Sequence, residues 1–572
     1  MKILLTSLNT KYIHSNIAIQ YLKSTIENKY EVKTIDFTIN QNLDDIIYEI
    51  IKGNYNIVGF STYIWNIEQT LKISKKIKKI NNKIKIVLGG PEVSYDSRNI
   101  LKENKFIDFI MCGEGETTFP ILMDYINGEK IDLPSGTLEN KEFEILGNEI
   151  FQTINDLKVS EFEYTEKYLK DKKIVYYETS RGCPYNCEFC LSSSTKKVRY
   201  FNLDRCKSDI GKFIDLKVPL VKFIDRTFNF NKEHALEIIK FIINNDKGYT
   251  TFHLEIHPTL IDNDYLELFK ISRKDLFQFE IGVQSTNMET CKAIKRVGEF
   301  EDIKRVCEKL LAFDNIHLHL DLIAGLPYEN YKSLKKSFND ILSIRPDKLQ
   351  LGFLKVLKGS DLWLKNREYK IVYDDYPPYE VISTKWISYE GLQKVKEIEE
   401  LVDKYYNEKN FYNTFEYIVK NYYKDDFSFF EEFSKFWEER GYYLINHSRD
   451  SLYKILLEFV IEKEYENIDI ITELLIHDYI MVNRKIPYFL EPNLIDKNSK
   501  HEILKNDDIL NILPEKYKEV STKKLVKNIH ILKYENDIIR HYNKNQKKYL
   551  IMLYDIYNSK NYDVTQKYEE II

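Results

Sequence analysis

Apolar and polar positions in the first 130 residues follow two alternating periods. Runs short enough for strands are KILLTSL (2–8), VKTIDFT (32–38), NIVGFSTY (56–63), KIKIVLGG (83–90) and FIDFIMCGE (106–114). Between them, at 16–27, 42–52, 66–80 and 117–127, apolar residues recur every three to four positions, the period of an amphipathic helix. Five strands alternating with helices predict an α/β domain with a doubly wound, Rossmann-like parallel sheet over residues 1–145, because parallel strands need crossover connections. Ligands of such sheets bind beyond the carboxyl ends of the strands. The residues there are Thr10, Tyr12 and Asn16 after the first run, and Ser61, Thr62 and Trp65 after the third. Gly89, Gly90, Pro91 and Glu92 follow the fourth, and Gly113, Glu114, Gly115, Glu116 and Thr117 the fifth. Paired glycines at a strand end let the backbone approach a bulky ligand closely, though each loop is equally compatible with an ordinary tight turn. No GxGxxG is present, which disfavours a nicotinamide cofactor.

After a linker (146–172), a second series of strand-like runs occupies residues 173–358. They are KIVYYETS (173–180), LVKFIDRTFNF (220–230), TTFHLEIHP (250–258), LFQFEIGVQS (276–285), IHLHLDLIAGLP (316–327) and KLQLGFLKV (348–356). Helical patterns such as NKEHALEIIKFIINN (231–245) separate them, so a barrel or open barrel is expected. The first run ends in Arg181-Gly182-Cys183-Pro184-Tyr185-Asn186-Cys187-Glu188-Phe189-Cys190. Gly182 and Pro184 make this CxxxCxxC segment a loop.

The remaining residues, 359–572, predict a mostly α-helical domain, with helical periods at 389–406, 414–423, 427–440, 451–463 and 466–480. Its aromatic stripes, such as Phe411, Phe415 and Tyr422 or Phe430, Phe433 and Trp437, read as helix-packing core. The stretch 514–548 carries ten Lys/Arg against four Asp/Glu, with Tyr517, Tyr534 and Tyr542 interspersed, which fits either a solvated helix face or a phosphate-tracking surface for RNA.

Composition narrows the picture. With 84 Lys+Arg against 89 Asp+Glu among 572 residues, the formal charge of −5 offers no global polycation and no acidic tail. An apolar fraction of 43% is ample for several cores. No run reaches the length of a membrane span, and the start is too short in apolar residues for a signal peptide, so a cytoplasmic protein without a membrane partner, and a monomer, is expected. The seven cysteines are odd in number, and three fall within eight residues. In a reducing compartment that points to a metal or to catalysis. Three thiols on one loop can hold three irons of a cubane and leave the fourth open, whereas electron-carrier clusters take four cysteines. The alternative is a zinc site, which needs four N/S ligands and would have to draw on Cys206.

CxxxCxxC at a strand end, with Phe189 before the third cysteine and six strand–helix units, resembles the radical S-adenosylmethionine (SAM) superfamily. The resemblance implies a partial (β/α)6 TIM-like barrel with a [4Fe–4S] cluster on Cys183, Cys187 and Cys190 at its C-terminal face. It implies SAM contacts from Phe189, from Asp225, Thr227 and Asn229 after the second strand, from Glu255, and from Gln284 and Ser285. A literal Gly-Gly-Glu after that second strand is absent. His253, His257, His317 and His319 are read as packing residues, and Asp321 as either structural or functional. A doubly wound domain ahead of such a barrel, with GGPE and GEGE loops, is similar to the cobalamin-binding subclass, although its Asp-x-His-x-x-Gly signature is missing. The implied cofactors are cobalamin, SAM and the cluster, with an external electron donor such as flavodoxin or ferredoxin. The implied reaction is reductive cleavage of SAM to a 5′-deoxyadenosyl radical and modification, by methylation, of an unactivated carbon. The other readings are a radical enzyme modifying a methylthio-type tRNA nucleoside, and a non-enzymatic metal-binding module. The helical tail resembles an uncharacterised extension of some cobalamin-type members and names no substrate.

Overall fold

The computed structural model describes residues 1–141, 144–170, 172–195 and 197–483, and beyond these 488–490, 500–501, 504–505, 515–518, 520–536, 538, 548–554 and 561–563. The chain divides into two compact units, Met1–Leu392 and Gln393–Ile572.

The first sheet of the larger unit runs β2 (Glu31–Thr38), β1 (Lys2–Asn9), β3 (Ile57–Ser61), β4 (Lys85–Gly89), β5 (Phe109–Met111), β6 (Thr137–Lys141) and β7 (Glu144–Gly147). The first five strands are parallel; β6 and β7 add an antiparallel hairpin at one edge that the apolar pattern does not reveal. Successive side chains of a strand point to opposite faces. Accordingly Leu4, Leu8, Val58, Phe60, Ile86, Leu88 and Ile110 enter one core, and Ile3, Leu5, Ile57, Val87, Phe109 and Met111 the other. Helices α1 (Ile17–Ile26), α2 (Leu43–Lys52), α3 (Ile67–Ile80), α4 (Ser97–Glu103) and α5 (Thr118–Ile126) make the crossovers. The order places β1 beside β3, so the crevice at the switch point opens between the β1, β3 and β4 ends.

The second sheet is parallel throughout: β8 (Ile174–Tyr177), β11 (Leu220–Phe223), β12 (Thr251–Glu255), β13 (Phe277–Gln284), β14 (Ile316–Ala324) and β15 (Lys348–Phe353), paired in that spatial order. A small ribbon, β9 (Ser180–Arg181) with β10 (Arg199–Tyr200), intervenes in sequence after β8. Strand β13 alternates strictly: Phe277, Phe279, Ile281 and Val283 are buried, and Gln278, Glu280, Gly282 and Gln284 between them are half-buried. Strand β14 does the same with His317, His319 and Asp321 as its half-buried set. The six-stranded partial barrel therefore has an apolar outer face under helices such as α7 (Leu203–Asp215) and α8 (Lys232–Asn245), and a polar interior.

The second unit is built on α15 (Tyr412–Tyr422), α16 (Asp426–Glu439), α17 (Arg449–Glu462) and α18 (Ile468–Val482). Phe411, Phe415, Phe430, Phe433 and Trp437 are its buried core, as their spacing predicts. A three-stranded antiparallel sheet, β18 (Ile529–Tyr534), β19 (Lys548–Tyr554) and β20 (Asn561–Asp563), follows where only helix was expected. Tyr517 and Tyr534 are fully buried, so they provide no stacking surface for a base; Tyr542 lies outside the described residues. No described helix is long and apolar enough to cross a membrane.

Candidate active site at the meeting of two strand-end loops

The cysteine loop leaves β8 and is framed by the β9–β10 ribbon, in which Arg181 and Arg199 face each other across the strands. Gly182 sits at φ +100°, where a Cβ would come within 2.5 Å of the Lys197 carbonyl, so the chain can enter the loop only with glycine. Cys187 is buried; Cys183 and Cys190 are half-buried. Burial pushes the Cys183 and Cys187 thiols up. Thr227 Oγ1 stands 3.8 Å from Cys183 Sγ, and Arg296 Nη1 3.9 Å from Cys187 Sγ. Cys206 is fully buried on α7 and raised to about 12, chiefly by burial, with its thiol beside the Tyr177 hydroxyl. It belongs to the packing between helix and strand. Among the described residues no three or more His, Cys, Asp or Glu gather as a single-ion site would require. A cubane with one open iron asks for three thiolates, the donor set that this loop supplies.

The SAM positions of the sequence reading fall into two groups. Thr227, Glu255 and Gln284 lie near the loop or on the barrel interior with unused capacity. Glu255 is raised by burial and reaches Arg226 only at 3.9 Å. Gln284 adopts φ +73°, and its buried Oε1 has no partner. The other polar positions are spent on structure. Asp225 accepts from the Thr179 N–H (2.9 Å), Thr179 Oγ1 (2.5 Å) and Ser180 Oγ (2.6 Å), and thereby holds the strand that leads into the loop; burial raises it to about 6. Asn229 donates to the His257 carbonyl and accepts from its N–H, both at 2.9 Å. Ser285 accepts from the Asn287 N–H. Phe189 is half-buried beside Cys190.

Two residues that sequence reasoning did not assign join this group. Arg296 donates to the Gly282 carbonyl, and its buried Nε has no partner. Asp321 pairs in register with Gly282; its buried Oδ1 is unpartnered, and burial raises its pKa well above the usual carboxylate range. A Cβ on Gly282 would meet the Gln284 amide at 2.1 Å and Arg296 Nη2 at 3.7 Å, so glycine leaves room for both side chains to converge. Deeper in the barrel, Glu280 bridges His253 (2.8 Å) and Lys222 (3.3 Å), and the His253 bond leads in lowering it to about 2. His319 accepts from or donates to Gln278 at 2.7 Å, and burial keeps it neutral, with a pKa lowered to about 3.

At the first sheet, a cavity of about 320 Å³ opens beyond the strand ends. Leu5, Val87, Met111 and Phe119 form its apolar floor, and Ser61, Gly89, Gly90 and Pro91 its rim. Its far wall is Glu178, Arg181 and Ile224 from the barrel. Glu178, Arg181 and Ile224 also border a smaller hollow of about 210 Å³ with Gly182 and Arg226, at the start of the cysteine loop. Of the other cobalamin positions, Thr10, Tyr12, Trp65 and Thr117 are exposed and outside the lining. Asn16 caps α1 and donates to Ser7 and Ser61; Thr62 donates to the Gly89 carbonyl. Glu92 bonds the Tyr379 hydroxyl.

The two GEGE carboxylates line the cavity but are already engaged. Glu114 takes both Nη atoms of Arg199, at 2.7 and 2.8 Å. Glu116 takes Arg181 Nη1 at 2.8 Å and Ser160 Oγ at 2.9 Å. Arg181 grips Glu178 with Nε and Nη2, both at 2.9 Å. The ribbon around the cysteines is thus bolted to the loop after β5. Sequence alone gave one signal for this, a basic residue immediately before the glycine and cysteine.

Residues 3–123 match the B12 binding domain, 177–341 the Radical SAM superfamily, and 367–554 a protein of unknown function (DUF4080). The chain thus combines a B12-binding domain with a radical SAM domain. It is 25% identical over 329 residues to the 2-(S-pantetheinyl)-carbapenam-3-carboxylate methyltransferase of Streptantibioticus cattleyicolor, covering 54% of this chain and 48% of that protein. It is 24% identical over 306 residues to the cobalamin-dependent radical SAM methyltransferase TokK of Streptomyces tokunonensis, covering 50% and 45%. The chain spans about half the length of these curated relatives. In fold it is similar to the cobalamin-dependent S-adenosylmethionine radical enzyme OxsB, with TM-score 0.59 and 15% identity over 92% of this chain and 83% of that one. The two domains imply cobalamin, a [4Fe–4S] cluster and SAM.

The residues fit these groups. Three sulfurs suit the cluster, and Arg296 beside Cys187 with the unpartnered buried acceptors of Gln284 and Asp321 on the paired strands β13 and β14 suit a polar sulfonium compound. At Gly89 the nearest atom to an added Cβ is 4.0 Å away, so the cradle would be partly filled by any side chain.

Proposed function

We propose that this chain is a cobalamin-dependent radical SAM methyltransferase acting on an unactivated carbon. The observation that carries the reading is the shared wall: Glu178, Arg181 and Ile224 border both the cavity of the first sheet and the hollow beside the cysteine loop. When bound, the cluster supplies an electron, SAM a 5′-deoxyadenosyl radical and the corrinoid a methyl group. Cys183, Cys187 and Cys190 hold three irons as thiolates. The Arg296 guanidinium is suited to a carboxylate, and the Asp321 carboxyl and Gln284 carbonyl to hydroxyl donors, so together with Thr227 and Glu255 they orient SAM against the loop. Asp225, Asn229 and Ser285 hold the backbone on which these side chains stand. Gly89 and Gly90 admit the corrinoid, and the apolar floor excludes water from it. An acidic flavodoxin- or ferredoxin-type protein delivers the electrons.

Anaerobic protein reconstituted with iron, sulfide and hydroxocobalamin is incubated with SAM, reductant and fractionated extract of a deletion strain. Production of 5′-deoxyadenosine, with a methyl-labelled product from methyl-labelled SAM, is expected. Retention of zinc alone, with no 5′-deoxyadenosine, overturns the reading. Label in digested tRNA rather than in the small-molecule pool selects the nucleoside as acceptor.

A further inference from the structure

The barrel does not end at β15. Residues 354–387 fold back across its carboxyl face and touch both cofactor loops. After β15 the backbone pairs with β17 (Val381–Ser383), Val381 N–H donating to the Leu354 carbonyl at 2.9 Å. Between these points runs α13 (Asp361–Lys365), capped by Ser360. One foot of this segment stands on the cysteine loop. The Leu362 N–H donates to the Glu188 carbonyl at 2.8 Å, and Lys365 Nζ binds the Glu188 carboxylate at 2.5 Å. Glu188 lies between Cys187 and Cys190, is 2% exposed, and also takes Lys295 at 3.1 Å. The other foot stands on the loop after β4. Lys358 Nζ binds Asp96 at 2.8 Å, and the Tyr379 hydroxyl binds the buried Glu92. Gly359 passes so close to Tyr95 that a Cβ would come within 2.3 Å of its ring, and Tyr95 lines the cavity.

Resting on the reading above, we propose that this strap sets the register between the two cofactor loops, with Lys365 and Glu188 as positioning residues for the cluster and Lys358 and Tyr379 for the corrinoid. The region matched by DUF4080 begins at residue 367, so Tyr379 and Val381, which reach Glu92 and Leu354, belong to it. A buried carboxylate beside two cysteines is costly without its cations. Fixing Glu188 from both backbone and side chain holds the centre of an eight-residue loop whose ends are tied elsewhere, Cys183 N–H to the Thr195 carbonyl and the Cys190 carbonyl to Ser193. Charge matters as well: a cation near the cluster favours its reduced form, an anion its oxidised form.

Four variants of the full chain test this. In K365M, which removes a partly exposed side chain, amide exchange over residues 183–190 in cofactor-free protein is expected to quicken about tenfold or more, the weight of one charge-assisted hydrogen bond. After reconstitution, the midpoint potential read by electron paramagnetic resonance should fall in K365M, rise in E188Q and return towards wild type in K365R. K358M should leave that potential and the exchange at 183–190 unchanged and weaken hydroxocobalamin retention. Unchanged exchange in K365M, or equal shifts of potential in K365M and E188Q, overturns the proposal. Failure of wild type to take up a cluster sinks the functional reading, while the exchange measurement still decides whether the strap holds the loop.

Discussion

At the scale of single residues, the site depends on which side chains have bonding capacity left. Replacing Cys183, Cys187 or Cys190 by Ala should abolish iron uptake and 5′-deoxyadenosine formation, whereas C206A should retain both, because Cys206 is packed against Tyr177; iron analysis and product chromatography check this. Glu329, fully buried after β14, is raised by burial from 4.5 to about 7, and its Oε2 has no partner. A raised carboxyl binds its proton more tightly in the fold, so stability declines as pH climbs from the unfolded value to the folded one, here by about 3 kcal/mol between pH 4.5 and 7. E329Q keeps an acceptor for Ser337 and should flatten that decline, as read from urea midpoints across pH 5–8. The cysteine spacing was legible because its chemistry is local. Asp225 and Asn229 were read as ligands because they stand at a strand end; that their bonds are saturated by Thr179, Ser180 and His257 depends on distant backbone. Arg296 carries no motif, and Asp321 fits either a structural or a functional role in sequence, because only the fold brings Arg296 to Cys187 and leaves buried atoms of both unpaired.

At the scale of elements, most runs with clean periods became strands and helices near their expected ends, whereas the strand expected at 220–230 stops at Phe223. The strand expected at 106–114 shortened to Phe109–Met111, because Asp108 turns its carboxylate to the Ile86 N–H and to Lys78. The hairpin β6–β7 and the β9–β10 ribbon have too few residues to show a period. The glycines after β4 behave differently from each other. Gly90 has φ +115°, and a Cβ there would lie 2.5 Å from the Thr62 carbonyl; at Gly89 a Cβ would meet nothing nearer than Met111 Cβ at 4.0 Å. G90A is therefore expected to lower the melting temperature, by about 1–3 kcal/mol of backbone strain. G89L should melt like wild type yet bind hydroxocobalamin at least several-fold more weakly. Calorimetry and absorbance titration separate the two outcomes.

At the scale of the whole molecule, domain order and sheet type were readable from the succession of apolar runs, but the joint between the first sheet and the barrel was not. Glu114 and Glu116 lie 65–85 positions from Arg181 and Arg199, and in sequence they look like ligand-loop residues. Their burial makes the joint strong only while complete. R181M should lower unfolding free energy by about 3–5 kcal/mol, because three carboxylates lose a shared cation. E116Q, which keeps an acceptor, should cost less. Both are measured by denaturant titration.

The arginine pair of the ribbon also decides how this gene can be cut. A polypeptide starting at residue 173 would carry every thiol needed for iron yet leave the Arg199 guanidinium without its carboxylate and Arg181 with Glu178 alone. Such a truncated product is expected in the insoluble fraction, and co-expression with residues 1–172 as a separate chain should rescue it. Iron chemistry in this molecule is therefore not portable: the half that holds the metal has borrowed its electrostatic balance from the half that does not.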